Sequence, residues 1–194
     1  NYEVNLLFST QETVSSAHEY CVARHGTPSS WENGISNPDS DPRLFGDGRG
    51  VEALTSAVQA AQERVDVVVY VVNADPKYPD GPVLQFIGEL GQAVERGVSV
   101  FVLLERSDYN DDLNALNEAA AIYMRSLGIL VRHDEPDVIT HAKLLVADGV
   151  AVVSTGNWSY SGLSTNHELT LRTVDTETVS ALRSYAQERY TRGE

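Results

Sequence analysis

A histidine and a lysine stand two residues apart in the apolar run His141-Ala142-Lys143-Leu144-Leu145-Val146-Ala147. Side chains on a β-strand alternate between faces, so His141 and Lys143 share one. That face carries a nucleophile or proton carrier beside a fixed positive charge. A few residues on, Ser154-Thr155-Gly156-Asn157-Trp158-Ser159 supplies hydroxyls and an amide, which a short hairpin returns to the same neighbourhood. Donors of this kind around an imidazole suit the phosphate of a diester. The chain has only two lysines, Lys77 and Lys143, and one of them falls in this cluster.

The run H-x-K-x(4)-D at His141, Lys143 and Asp148, the turn Ser154-Thr155-Gly156-Asn157-Trp158 and the later Asn166-His167-Glu168 resemble the phospholipase D superfamily over about residues 137–174. The turn comes one residue early after the aspartate, and Ser-Thr stands where Gly-Ser is usual. H-x-K alone is a weak signal; the full run in a strand–turn–strand context is specific. The resemblance implies an α/β fold with a mixed, mainly parallel β-sheet sandwiched between α-helices. It also implies a metal-independent phosphodiesterase with no cofactor. His141 would attack phosphorus and form a phosphohistidine. Lys143 and Asn157 would hold the non-bridging oxygens, with Ser154 and Thr155 as further hydroxyl donors. Glu168 would accept a hydrogen bond from the other imidazole nitrogen and fix its tautomer. Asp148, five residues beyond Lys143, points to the opposite strand face and is expected to hold the Asp148-Gly149 turn. Trp158 is expected to pack in the core behind the turn.

The family's site is built from two such motifs, whereas H-x-K occurs once here. The missing half-site would come from a second copy of the chain, as in single-motif homodimers, or from the other half of a longer polypeptide. Two facing histidines would titrate as a coupled pair, one attacking while the other protonates the leaving alkoxide. Small single-motif members are mostly nucleases, and no basic amphipathic stretch for a membrane surface is present. The expected activity is therefore an endonuclease acting on nucleic-acid diesters, single-stranded in preference. The alternatives are a phospholipase D or phosphatidyl transferase acting on lipid diesters, or a non-catalytic module for diester binding or dimerisation.

The elements that must position these residues are legible in outline. The 194 residues read as one domain, 42% hydrophobic, with no apolar run long enough to span a membrane. A single cysteine, Cys21, excludes an internal disulfide and a cysteine-rich zinc site. The net charge of −14 repels nucleic acid at long range yet allows a small cationic cleft. The first residue is Asn1, as expected of a processed or trimmed chain, and the compartment, secreted with a signal peptide removed or cytoplasmic, stays open. Strands are expected at residues 4–8, 65–72, 98–104, 129–132, 141–147, 151–153 and 169–173. Helices are expected at residues 51–64, 84–96, 111–127 and 176–190. The Gly-, Pro-, Ser- and Asp-rich stretch from about 19 to 50 reads as a long loop. Its Arg24, Arg43 and Arg49 would recruit substrate if it covered the cleft.

Overall fold

The computed structural model describes residues 41–194, together with Ser15 and Ala17 in helical conformation. The expected strand at residues 4–8, and the long stretch up to residue 40, lie outside the described residues. From there the elements are β1 (Arg43–Gly46), α1 (Gly50–Ala60), β2 (Arg64–Val69), α2 (Pro82–Glu95), β3 (Ser99–Leu104), α3 (Asp111–Ser126) and β4 (Leu130–His133). They continue as β5 (Lys143–Ala147), β6 (Val150–Ser154), α4 (Tyr160–Ser164), β7 (Leu169–Thr173) and α5 (Thr176–Arg192).

The seven strands form one mixed sheet in the order β1-β7-β6-β5-β2-β3-β4. Five strands run in one direction, and β5 and β7 run against them. Only β2–β3 and β3–β4 are parallel neighbours, because the β5–β6–β7 half is built from antiparallel returns. The α/β layering expected from the sequence is present. Val65, Val67 and Val69 of β2 enter the cluster beneath α1, α2 and α3, while Val68 enters the smaller cluster beneath α5. A strand covered on both faces has no polar side to show, which explains the unbroken β-branched run.

The helices follow their local signals. In α1, Gly50, Ala53, Leu54, Ala57 and Val58 form the buried stripe. Pro82 opens α2, and Gly97, with φ +92°, closes its end. The Asn110 side chain caps α3 by accepting from the Leu113 N–H at 3.1 Å, ahead of Asp111 and Asp112.

The end of the expected 19–50 loop is not loop. Residues 43–46 form edge strand β1, paired antiparallel with β7 from Arg43↔Arg172 to Gly46↔Leu169, followed by a 3₁₀ turn and the first residue of α1. A four-residue strand flanked by turn formers has too little periodicity to read, and its pairing partner is remote in sequence.

 The separation falls from 129 residues at Arg43↔Arg172 to 123 at Gly46↔Leu169, so no local window contains both strands. Arg43 starts β1 at the rim opposite to where β2 ends, and its guanidinium lies over Phe45 at 4.8 Å. Arg49 pairs with Glu52 at 3.1 Å. Neither is placed as the recruiting cation expected of a loop, and Arg24 lies outside the described residues.

Candidate active site

Strand direction gathers the site. β5 and β7 run against the other strands, so the starts of β5 and β7 share a rim with the ends of β2, β3, β4 and β6. His141 and Lys143 stand at the start of β5, Ser154 to Asn157 at the end of β6, and Glu168 at the start of β7. Regular strand begins at Lys143 rather than at His141, but the ladder continues one step through the Tyr70 N–H, which donates to the Ala142 carbonyl at 2.9 Å. The main chain just beyond, residues 71–73, is held by the other half of the motif. The Trp158 N–H donates to the Val71 carbonyl at 3.1 Å, and the Asn73 N–H donates to the Trp158 carbonyl at 2.8 Å.

Tyr70 joins the histidine to the lysine. Its ring meets His141 edge-on, with centroids 4.6 Å apart, and the Lys143 ammonium lies 5.3 Å from its centroid. Lys143 is buried, and its Nζ also donates to the His141 carbonyl at 2.8 Å. His141 itself is exposed. Burial, with Tyr109 and Glu105 adding, pushes the Tyr70 phenol above its ordinary range, so it stays protonated at neutral pH.

The turn after β6 is tightly built. Ser154 Oγ lies 2.8 Å from Thr170 Oγ1 and accepts from the Gly156 N–H at 3.1 Å. The Thr155 hydroxyl donates to Glu168 and accepts from the Leu169 N–H at 3.0 Å. Both hydroxyls expected as donors to substrate thus have partners inside the turn. Glu168 also accepts from Asn166 Nδ2 at 3.2 Å. A Cβ on Gly162 would sit 2.2 Å from the Asn157 carbonyl oxygen, so only glycine lets α4 pack this closely against Asn157. The Asn157 side-chain oxygen is buried without a hydrogen-bond partner among the described residues. Trp158 is buried and stacks edge-on against Phe86 at 4.8 Å, a packing role.

Asp148 stands at the opposite rim, on the β5–β6 hairpin. Its carboxylate accepts from the main-chain N–H groups of Gln62 at 2.7 Å, Arg64 at 2.9 Å and Glu63 at 3.3 Å, tying the hairpin to the entry of β2. These hydrogen bonds and nearby Arg183 outweigh desolvation and hold the carboxyl below its usual range. The stability this adds is present above the ordinary carboxylate pKa and is lost as pH falls through the depressed one.

A buried polar network, unread in the sequence, holds the segment leading into His141. Glu105, just past β3, accepts from the Thr140 N–H at 2.5 Å. The Thr140 hydroxyl donates to Asp134, and Arg189 of α5 bonds Asp134 at 2.6 Å and Glu135 at 3.1 Å. Desolvation raises Glu105 from 4.5 to about 7, with Asp134 adding to the rise while the Thr140 N–H and Arg189 oppose it. A raised carboxyl favours the protonated folded state. Its contribution is complete below about pH 4.5 and fades as pH climbs through 7. We expect wild-type stability to fall by about 3 kcal/mol across that window, and Glu105→Gln to flatten the fall, in denaturant titrations at pH 5 and pH 8. An unchanged slope in the variant would refute the assignment. Asn117 of α3 is a second such residue. Its amide donates to the carbonyls of Tyr70 at 2.9 Å and Glu105 at 2.8 Å, and its Oδ1 accepts from the Val72 N–H at 2.9 Å.

Among the described residues, no group of three or more His, Cys, Asp or Glu side chains could hold a metal ion, and no helix is long and apolar enough to cross a membrane.

Known proteins carry the same frame. Residues 54–190 match the family model described as cardiolipin synthase, PLD-like domain. The human mitochondrial cardiolipin hydrolase is 34% identical over 131 residues, covering 65% of this chain and 45% of that protein. The Xenopus tropicalis protein of the same name is 35% identical over 94 residues, covering 48% and 41%. The chain thus spans less than half the length of these curated relatives. Among solved structures, the phospholipase D family member Nuc from Salmonella typhimurium superposes with a TM-score of 0.64 at 20% identity, covering 79% of this chain and 97% of that one. NucT from Helicobacter pylori gives 0.62 at 19% identity, with the same coverage. Phosphatidylserine synthase from Haemophilus influenzae gives 0.58 at 14% identity, covering 76% and 36%. With the family model spanning most of the chain, and its fold and the rim carrying His141, Lys143 and Asn157 in keeping, the protein belongs to the phospholipase D superfamily.

Proposed function

We propose that the chain is a metal-independent phosphodiesterase that cleaves single-stranded nucleic acid through a phosphohistidine at His141. The observation that supports it most is the convergence at one rim of an exposed imidazole, a buried ammonium 5.3 Å from the ring that the imidazole packs on, and the Asn157 side chain just past the end of β6. In the first step His141 bonds to phosphorus and the P–O bond to the leaving alkoxide breaks, the alkoxide taking a proton from a second imidazole. That imidazole then removes a proton from water, whose oxygen displaces His141 and releases the phosphomonoester. Lys143 and Asn157 carry the charge that builds on the non-bridging oxygens. One preorganised donor of this type lowers the barrier by roughly 2.7–4 kcal/mol. Glu168 orients the imidazole, while Ser154 and Thr155 act by fixing the turn that presents Asn157. With one H-x-K in the chain, the second imidazole is the His141 of another copy across a two-fold axis.

The cardiolipin hydrolases among the relatives favour a second reading, hydrolysis of a lipid diester by the same steps. Labelled single-stranded DNA and cardiolipin vesicles, each incubated with the protein in excess EDTA, separate the two. Cleavage of the DNA in EDTA is the expected result. Its kcat/KM should rise with added salt, because screening relieves the repulsion from a surface of net charge −14. Hydrolysis of the vesicles with intact DNA would overturn the nucleic-acid reading and establish the lipid one.

A further inference from the structure

Residues 73–81 leave the end of β2 at the catalytic rim and carry Tyr78, which is 54% exposed. Tyr160, the first residue of α4 and three positions beyond Asn157, is 49% exposed. The two rings meet with centroids 5.4 Å apart and a 36° tilt. They border a shallow groove of about 50 Å³, open to solvent and lined also by Asn73, Asp75, Pro82 and Val83. Lys77 and Asp80 line the adjoining hollow beside the same tyrosines.

The groove is coupled to the catalytic turn through the main chain. Asn73 donates to the Trp158 carbonyl at 2.8 Å, and the Ser159 hydroxyl caps α4 by accepting from the Gly162 N–H at 3.1 Å. The loop closes under Tyr78 through the Gly81 N–H, which donates to the Tyr78 carbonyl at 2.9 Å. A Cβ on Gly81 would meet that same oxygen at 2.9 Å. Two tyrosines from separate segments are thus brought together half in water, on the loop after β2 and at the helix that follows Asn157, while the core beneath them is closed by Trp158 and Phe86.

Aromatic faces presented this way take flat, polarisable groups. Every nucleobase has such a face, and stacking on tyrosine is tolerant of sequence. Asn73 and Asp75 supply a donor and an acceptor for base edges. The carboxylate of Asp75 disfavours a phosphate in the groove itself, which leaves the phosphate to Lys143 and Asn157. We infer that the Tyr78–Tyr160 groove is a nucleobase subsite that seats a base flanking the scissile phosphate. This rests on the nucleic-acid reading above.

The test compares kcat/KM for an oligothymidylate with that for the same strand carrying abasic tetrahydrofuran residues around the cleaved phosphate. The protein is used as wild type, as Tyr78→Ala/Tyr160→Ala and as Tyr78→Phe/Tyr160→Phe. Wild type should prefer the base-bearing strand by roughly 5- to 100-fold, as stacking of one base predicts. The alanine pair should bring the ratio close to one, and the phenylalanine pair should keep it. A preference that survives in the alanine pair overturns the subsite, as does a wild type that cleaves both strands equally. A wild type that cleaves neither strand while hydrolysing cardiolipin vesicles instead removes the nucleic-acid reading, and the subsite falls with it.

Discussion

His141→Ala should lower kcat for diester cleavage by roughly 10⁴-fold or more, the loss seen when the nucleophile of a covalent mechanism is removed. In the proposed mechanism the imidazole bonds to phosphorus, and neither of the side chains packed beside it is placed to act as the nucleophile instead. Lys143 is a cation, and the Tyr70 phenol is held protonated by burial. The substitution should leave the fold intact, because His141 is exposed and its ring packs edge-on against Tyr70 at the surface. That contact is worth about 0.5–1.5 kcal/mol. Co-expression of wild-type and His141→Ala chains adds a test of the second half-site. If each site needs a histidine from both copies, random pairing of equal amounts leaves about a quarter of the activity. Half the activity would show that one chain holds a complete site. A variant retaining near-wild-type cleavage with unchanged circular dichroism would remove His141 from the mechanism.

Arg189→Met should destabilise the protein by about 3–5 kcal/mol, the usual cost of stranding one partner of a buried ion pair. Arg189 is 2% exposed and Asp134 fully buried, with 2.6 Å between Nη2 and Oδ1. Removing the guanidinium leaves the Asp134 carboxylate beside Glu105 without its 2.6 Å ion pair. The repulsion would push Glu105 further toward its protonated form. Denaturant unfolding of Arg189→Met measures the loss directly, and adding Asp134→Asn should recover part of it because the stranded charge is gone. The site should respond as well. Thr140 is gripped by both Glu105 and Asp134 and immediately precedes His141, so kcat should fall in Arg189→Met even at temperatures where the variant is folded. A loss under about 1 kcal/mol would mean that the network contributes little net stability.

The motif was legible because its parts are local. His141, Lys143, Asp148, Asn157 and Glu168 all fall within residues 141–168, on strands joined by short returns, so strand alternation and turn chemistry already order them. The β-branched run of β2 and the glycine-stopped helices α2 and α3 were legible for the same reason. Periodicity misplaced only their edges, for instance ending β2 at residue 72 where regular pairing ends at Val69.

What the sequence by itself determined, then, is the family, the layered α/β order and the place of the motif residues along the chain. The tertiary structure alone decided how they are held. Tyr70 stands 71 residues from His141 and reads as one more residue of an apolar strand. Glu105, Asp134 and Arg189 read as solvated charges in separate elements until the end of β3, the end of β4 and helix α5 bury them together. β1 becomes a strand only because β7 offers it an edge, and the tyrosine pair of the groove forms only when residues 73–81 fold back against α4. Local propensity reports on neighbours along the chain, within a turn of helix or a few strand positions. Burial, charge pairing and ring contacts depend on neighbours in space, which the chain acquires only when the sheet closes.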